Sequence, residues 1–354
     1  MIYFLLFLYI FFLIFISIDK RFQKYNYFIF GISIAALFLF AAFRFEVGQD
    51  YDNYLDFFNK VVPINEFDFQ DLDFTIEIGY QLLEAVVKYF CNNFNVMIIV
   101  MTTTIFLLFI NLIRKYSVAP LISLLIFVDY FYLIQVMGQY RQVLSLLMCL
   151  NALCFVEDRK FFRFLIVVAF ASAFHTASII FLCVYFVPRI KFTNKKLCFF
   201  IMFGFIILAG SLFLKTILIF IIKLLDFGIV GEKVQLYLNE TSISFITIPG
   251  ICEKLILFLF LFLVNKKPLN QKHIGVYVLG FYWYLFFMPI NSTLSARGAL
   301  VFLSINLLLA AEVYKELTFK RKVLFMIAYI GAGVYLIAQE LLTYAHIYLP
   351  YRVI

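Results

Sequence analysis

Long apolar runs constrain this chain more than any other feature of its sequence. Residues 1–18, 28–43 and 96–113 are almost continuously apolar, and about 20 such residues in a helix cross the roughly 30 Å hydrocarbon core of a bilayer. The strands of an outer-membrane barrel would instead show short segments of alternating polarity. The runs therefore predict an all-α fold, that of a polytopic helical integral membrane protein.

Composition favours the same class, since 65% of the 354 residues are hydrophobic and 14% are charged. The first run lacks the basic start and the cleavage site of a secretory signal, so we expect it to be retained as a span. Most cysteines fall in or at apolar segments and Cys91 stands alone in a polar loop, which indicates no disulfide framework. The three histidines lie far apart, so the sequence predicts no metal site and no cofactor.

The net charge of +8 is explained by membrane topology, and we predict no nucleic-acid partner. Most basic residues cluster in six short connections: Lys20, Arg21 and Lys24; Arg114 and Lys115; Arg159, Lys160 and Arg163; Arg189, Lys191, Lys195 and Lys196; Lys266, Lys267 and Lys272; and Lys315, Lys320, Arg321 and Lys322. Because cytoplasmic loops carry excess Lys and Arg, these connections are assigned to the cytoplasm. A large, acidic external loop, residues 44–95, then follows the second span.

One segment, residues 164–187, has basic clusters at both ends and cannot cross the membrane once without breaking this rule. We expect a re-entrant hairpin of two half-length helices there, turning near residues 173–176. A single crossing is the alternative. The whole chain then has about ten full spans plus the hairpin, within a range of 10 to 12. Residues 215–245 form an external connection, and residues 1–354 form a single transmembrane domain.

This topology brings several polar groups to the external side. The first is the charged and aromatic cluster at residues 43–54, and the others are Arg141, His175, Arg297 and the chain end near Tyr351. An ionisable group in or beside a membrane segment is costly, which makes it a candidate functional residue. Each has a structural alternative, because an arginine can extend to the interface and a histidine can bond a neighbouring helix.

The segment Phe43-Arg44-Phe45-Glu46-Val47-Gly48-Gln49-Asp50-Tyr51-Asp52-Asn53-Tyr54 resembles the signature of the EpsG/Wzy-type bacterial polysaccharide polymerases. Further elements follow in the family's order. Glu77-Ile78-Gly79-Tyr80 resembles its Glu-x-Gly-aromatic element, Tyr140-Arg141-Gln142 its Arg-Gln pair, and Phe174-His175-Thr176-Ala177-Ser178 its Phe-His-x-x-Ser element. Gln49 stands where relatives often carry a small hydroxyl residue. The resemblance covers nearly the whole chain.

The resemblance implies a glycosyltransferase that joins oligosaccharide repeat units carried on a polyprenyl (undecaprenyl) diphosphate. Arginine neutralises a diphosphate through its bidentate fork, so the diphosphate-binding candidates are Arg141, Arg297 and Arg44. A carboxylate or imidazole would take the proton of the acceptor hydroxyl. The candidates for this catalytic role are Glu46, Asp50, Glu77 and His175. The candidates for contacting or supporting the sugar are Tyr51, Tyr54, Tyr80, Gln139, Gln142 and Tyr351. No metal is expected to assist.

The implied product is capsule, exopolysaccharide or the O-antigen of lipopolysaccharide. The implied location is the bacterial inner membrane, with the active site on the periplasmic or extracellular side. The partners expected are the lipid-linked oligosaccharide, membrane lipid, a chain-length regulator and a flippase. Two other functions stay open: a flippase or transporter of the same lipid, and an O-antigen ligase that shares the donor and differs at the acceptor. A purely structural membrane subunit would leave the residue 43–54 cluster unexplained.

Overall fold

The structure is a computed structural model of the chain and confirms the all-α class. It describes every residue except 1, 18, 20, 69, 71, 74–75, 190–192, 226–246, 265–268 and 354. The described residues form two compact units, residues 1–185 with 310–354 (unit 1) and residues 186–309 (unit 2). This division describes contacts within the structure. That residues 1–354 form a single transmembrane domain stays a prediction.

Unit 1 contains most of the helices. In chain order these are α1 (Ile2–Ile16), a 3₁₀ turn (Gln23–Tyr25), α2 (Asn26–Ala42), α3 (Tyr51–Lys60), α4 (Ile78–Phe90), α5 (Phe94–Tyr116), α6 (Pro120–Phe127), a π-helix (Val128–Val136), α7 (Tyr140–Asn151), α8 (Leu153–Glu157), α9 (Phe161–Ser172), a 3₁₀ helix (Thr176–Leu182) and α10 (Cys183–Phe186). Strands Arg44–Phe45 (β1) and Arg352–Val353 (β2) form a short antiparallel pair.

Helix α5 packs against α7 and α2 in unit 1. It begins at an N-cap, because the side chain of Asn93 accepts a hydrogen bond from the N–H of Asn95 at 2.9 Å. Its last turn carries Arg114 and Lys115, whose charges suit the negative end of the helix dipole. With 23 residues it spans about 34 Å, enough to cross a bilayer.

The segment after α8 doubles back on itself. Helix α9 and the 3₁₀ helix are separated by a break at residues 173–175. The two arms meet at their far ends, where the Tyr185 hydroxyl donates to the carbonyl of Arg159 at 3.0 Å and the rings of Phe161 and Tyr185 lie 5.0 Å apart. We call this segment the 161–186 hairpin. Its re-entry into the membrane from one side stays a prediction.

The described residues of unit 2 form four helices, α11 (Asn194–Leu225), α12 (Thr247–Val264), α13 (Gln271–Phe287) and α14 (Ser292–Leu303). Gly280 in α13 lets α14 approach closely, since a Cβ there would lie 2.9 Å from the Phe302 side chain. Helix α15 (Asn306–Glu316) begins in unit 2 and ends in unit 1, where α16 (Phe319–Thr343) and α17 (Ala345–Tyr348) follow. Most of the expected external connection at residues 215–245 lies outside the described residues.

Among the residues that the structure describes, five helices are long and apolar enough to cross a membrane: Gln23–Ala42, Phe94–Tyr116, Tyr140–Glu157, Asn194–Ile217 and Phe319–Thr343. A sixth span is formed if α14 and α15, bent by 53° at their junction, are taken together. Shorter apolar helices include α1 and both arms of the 161–186 hairpin. The chain is thus a membrane-embedded protein with several spans, and the count of about ten stays a prediction.

Candidate functional site

Glu77 lies at the centre of a group of polar side chains in unit 1. Its Oε2 atom lies 2.6 Å from Nη1 of Arg141, the second residue of α7. Its Oε1 atom lies 3.4 Å from Nδ1 of His175 and accepts a 3.2 Å hydrogen bond from the N–H of Thr176. One carboxylate thus joins the acidic loop, the start of α7 and the break of the hairpin. We call Glu77, Arg141, His175 and Thr176 the Arg141 site.

The partners of Glu77 keep it ionised. Burial alone would raise the pKa of its carboxyl, but the hydrogen bond from His175, the charge of Arg141 and the N–H of Thr176 outweigh burial and lower the pKa to about 2. A carboxylate with such a low pKa is a weak proton acceptor near neutral pH. Its position instead suits orienting Arg141 and His175.

Two polar atoms of the Arg141 site have no hydrogen-bond partner among the described residues. They are Nε of Arg141 and Nε2 of His175, and both are enclosed. Their side chains keep 19% and 18% of their surface exposed, respectively. Buried polar atoms nearly always have a hydrogen-bond partner in folded proteins. Two such atoms without a partner, on side chains that share the Glu77 carboxylate, therefore indicate a place for a ligand.

Aromatic rings hold the guanidinium of Arg141. Its Cζ atom lies 5.1 Å from the ring centroid of Tyr54, 5.0 Å from that of Tyr80 and 5.7 Å from that of Phe57, all within cation–π range. The rings of Tyr54 and Tyr140 stack at 4.1 Å, and the hydroxyls of Tyr80 and Tyr140 are 2.7 Å apart. Tyr54 and Tyr80 are buried, so they support Arg141 here and would contact a sugar only after a rearrangement.

Gly79 lets the hairpin approach α4. Its N–H donates to the carbonyl of Ala173 at 2.8 Å, and a Cβ at Gly79 would lie 2.8 Å from that oxygen. The Glu-x-Gly-aromatic spacing therefore has a physical reason. Glu77 binds the hairpin's turn, Gly79 admits its backbone, and Tyr80 supports Arg141.

Glu84 is a buried carboxyl one turn beyond Tyr80 in α4. It is fully buried, and burial raises its pKa to about 8 even though the Tyr80 hydroxyl and the charges of Arg141 and Lys88 act in the opposite direction. The carboxyl is therefore largely protonated at neutral pH. Glu84 is thus a titratable group one helical turn from Tyr80, whose ring contacts Arg141.

Arg44 has a different environment from Arg141. It is 1% exposed, and it donates from Nη1 to the carbonyl of Ala41 at 2.5 Å and from Nε to that of Val47 at 3.2 Å. These bonds tie the end of α2 to the loop that follows. In this arrangement the guanidinium positions the backbone and is shielded from a ligand.

A second polar group surrounds Gln49. Its Nε2 donates to Oε1 of Glu340 in α16 at 2.5 Å, and its Oε1 accepts from Nε2 of Gln139 at 3.3 Å. The Tyr348 hydroxyl donates to the same Glu340 oxygen at 3.2 Å. We call Gln49, Gln139, Glu340 and Tyr348 the Gln49 group. Through Gln139 it reaches the turn that precedes Arg141 by two residues.

Other predicted residues lie outside the Arg141 site. Glu46 is exposed and forms an ion pair with Arg352 across the β1–β2 pair. Tyr351 stacks on Phe40 at 4.0 Å, and Asp50 precedes the first turn of α3. Tyr51 packs edge-on against Phe94, and Gln142 is buried in α7.

Arg297 lies on α14 in unit 2 and is exposed. At the next residue, Gly298, a Cβ would clash with Nε1 of Trp283, and that indole nitrogen donates to the carbonyl of Leu294 at 3.1 Å. Helix α14 is therefore held tightly against α13. The predicted role of Arg297 at a diphosphate stays a prediction.

Sequence reasoning missed Tyr140, Thr176, Glu84 and Glu340 as functional candidates. Glu340 carried a usable signal, because it is an acid within the apolar helix α16. The other three became visible only through contacts between segments distant in sequence. In the part of the chain that the structure describes, no three His, Cys, Asp or Glu side chains are grouped to hold a metal ion.

Comparison with known proteins identifies the family of this chain. The sequence profile of the EpsG family matches residues 27–353, a range that includes the Arg141 site and the Gln49 group. No curated protein and no solved structure matched the chain significantly. The family match supports a polysaccharide polymerase-type function of the glycosyltransferase kind and confirms the resemblance seen in the motifs. Because it covers nearly the whole sequence, the chain belongs to the EpsG family.

Proposed function

We propose that the Arg141 site transfers a growing glycan from a polyprenyl diphosphate carrier onto a new lipid-linked repeat unit. The observation that carries the proposal is the pair of unpartnered atoms, Nε of Arg141 and Nε2 of His175, on two side chains that share Glu77. One is a fixed donor for an anion, and the other can accept a proton. A glycosyl transfer with a diphosphate leaving group needs both.

The chemistry assigns one role to each side chain. The acceptor hydroxyl oxygen bonds to the anomeric carbon while the bond from that carbon to the diphosphate oxygen breaks. The leaving diphosphate keeps the electron pair, and Arg141 stabilises the negative charge that grows on it. This electrostatic stabilisation is strongest in a site shielded from water. The hydroxyl proton passes to Nε2 of His175. Glu77 holds the imidazole in position and stabilises its charged form, as a carboxylate does for a catalytic histidine.

The remaining candidates act around this centre. Arg44 and the Gln49 group position the loop that contains Tyr54, and Glu46 and Asp50 stay as alternative bases. Arg297 stays as a second site for the diphosphate. We place the reaction at the external face of the bacterial inner membrane, because the Arg141 site lies at the end of α5 away from Arg114 and Lys115.

The direct test is a polymerisation assay. The purified protein receives a lipid-diphosphate-linked oligosaccharide in detergent, with and without a metal chelator. We expect a ladder of products spaced by one repeat unit, unchanged by the chelator. Transfer of the glycan once to a different acceptor, with no ladder, would identify a ligase. Movement of the lipid across a proteoliposome bilayer without new glycosidic bonds would identify a flippase and contradict the proposal.

A further inference from the structure

A cavity of about 400 Å³ lies in unit 1 at the opposite end from the Arg141 site. Helix α5 starts at Phe94, which packs against Tyr51 of the acidic loop, and ends at Tyr116. Residues 118–122, just beyond that end, line the cavity. The 23-residue helix is about 34 Å long and separates the two places, so the cavity takes no part in the transfer reaction.

The cavity carries uncompensated positive charge. Lys315 and Lys322 line it, and its lining contains no acid. Within the described part of the chain neither lysine forms an ion pair, and Nζ of Lys322 lies 4.9 Å from the ring centroid of Tyr314. The acids nearest in sequence to the lining residues are Asp19, whose carboxylate bonds Arg21 at 2.7 Å, and Glu312 and Glu316, and none of the three lines the cavity. Two ammonium groups at one cavity favour an anion.

Neutral polar groups complete the lining. Gln23 and Asn26 lie at the start of α2, and the enclosed Oδ1 atom of Asn26 has no hydrogen-bond partner among the described residues. The first turn of α6, with Pro120, adds the positive end of a helix dipole. An oxygen acceptor beside two cations suits a ligand that presents a hydroxyl next to its negative charge.

We propose that this cavity binds the phosphate of a ligand that also carries a hydroxyl group. Lys315 and Lys322 neutralise the phosphate, and Asn26 accepts the hydroxyl's hydrogen bond. The head group of a phosphoglycerol lipid has this chemistry, and so does free glycerol phosphate. The cavity's position among three basic connections, where spans end and head groups begin, favours the lipid.

The test measures lipid retained by the full chain in detergent, using native mass spectrometry with phosphatidylglycerol and phosphatidylcholine as probes. We expect one phosphatidylglycerol to bind in preference to phosphatidylcholine. The double variant Lys315→Ala/Lys322→Ala should bind phosphatidylglycerol about 30-fold more weakly, since each basic residue contributes on the order of 1 kcal/mol near an anionic head group. Lys315→Arg/Lys322→Arg should retain most of the binding.

The matched control is Lys320→Ala/Arg321→Ala, which removes two charges from the same connection but none from the cavity lining. It should change binding by less than about threefold, because exposed charges are screened by salt. An equal loss in this control, or no preference for phosphatidylglycerol, would overturn the proposal. Displacement of the lipid by glycerol phosphate at micromolar concentration would support the cavity and identify the soluble compound as its ligand. Failure of both ligands to bind would also overturn it.

Discussion

At the scale of single residues, Glu77 is the carboxylate on which the account rests. It contacts a guanidinium, an imidazole and a main-chain N–H at once, and its pKa of about 2 keeps it charged. The same low pKa argues against Glu77 as the base and leaves that role to His175. The sequence placed both residues among four candidates, and the choice between them needed the geometry.

Replacing His175 by Gln keeps a polar side chain but removes the proton acceptor. We expect the rate of glycan transfer to fall by about 10² to 10⁴, the usual contribution of a general base, while the KM for the lipid-linked donor changes little. A variant with wild-type turnover would exclude His175 as the base.

Glu84 predicts a pH dependence of stability. Its pKa is about 8 in the folded protein, whereas an unfolded Glu titrates near 4.3, so the folded state binds the proton more tightly. Stability should therefore decrease as pH rises from about 4.3 to about 8. Glu84→Gln should flatten this dependence in thermal unfolding measured across that range. Glu66→Gln, in the same acidic loop and exposed, is the control and should leave the slope unchanged.

At the scale of elements, the 161–186 hairpin and α4 form the site through backbone contact at Gly79. Gly79→Ala should displace the hairpin, because the new Cβ would lie 2.8 Å from the carbonyl oxygen of Ala173, well inside normal contact. We expect transfer activity to fall at least tenfold, by about 1.4 kcal/mol or more. Gly31→Ala in α2 meets no atom within 4 Å and should keep activity. Equal activities would show that the contact does not position the site.

The elements also show what the sequence could predict. Basic clusters at both ends of one apolar run indicated the break near residues 173–176, and the helices separate there. The π-helix Val128–Val136 carries no such signal, because its sequence contains no glycine, proline or basic residue. Its end meets Gly48, whose φ of +128° and close approach to the Met137 carbonyl leave no space for a side chain. The burial of Arg44 likewise depends on carbonyl groups that no side-chain pattern reveals.

At the scale of the whole molecule, unit 1 has two chemically distinct ends. The acidic loop and the Arg141 site lie at the Phe94 end of α5, and the cavity with its lysines lies at the Tyr116 end. Charge patterning along the sequence predicted this separation, since basic residues favour the cytoplasmic side. Which end faces which compartment is open to direct measurement.

Cys91 is an exposed native thiol in the acidic loop and reports the orientation. In a variant that keeps Cys91 alone, a membrane-impermeant maleimide should label intact spheroplasts. Lys320→Cys in a cysteine-free background, at the opposite end, should be labelled only after the membrane is opened. The reverse pattern would place the Arg141 site in the cytoplasm.

The most direct test of the central claim compares Arg141→Lys with Arg163→Lys in the polymerisation assay. Arg163 is an exposed arginine at the start of α9, so its variant carries the same chemical change away from the site. A lysine keeps the charge at position 141 but cannot reproduce the bidentate fork or its stacking on Tyr54 and Tyr80. We predict that Arg141→Lys inserts normally and loses the product ladder, while Arg163→Lys produces a wild-type ladder. A wild-type ladder from Arg141→Lys would contradict the account.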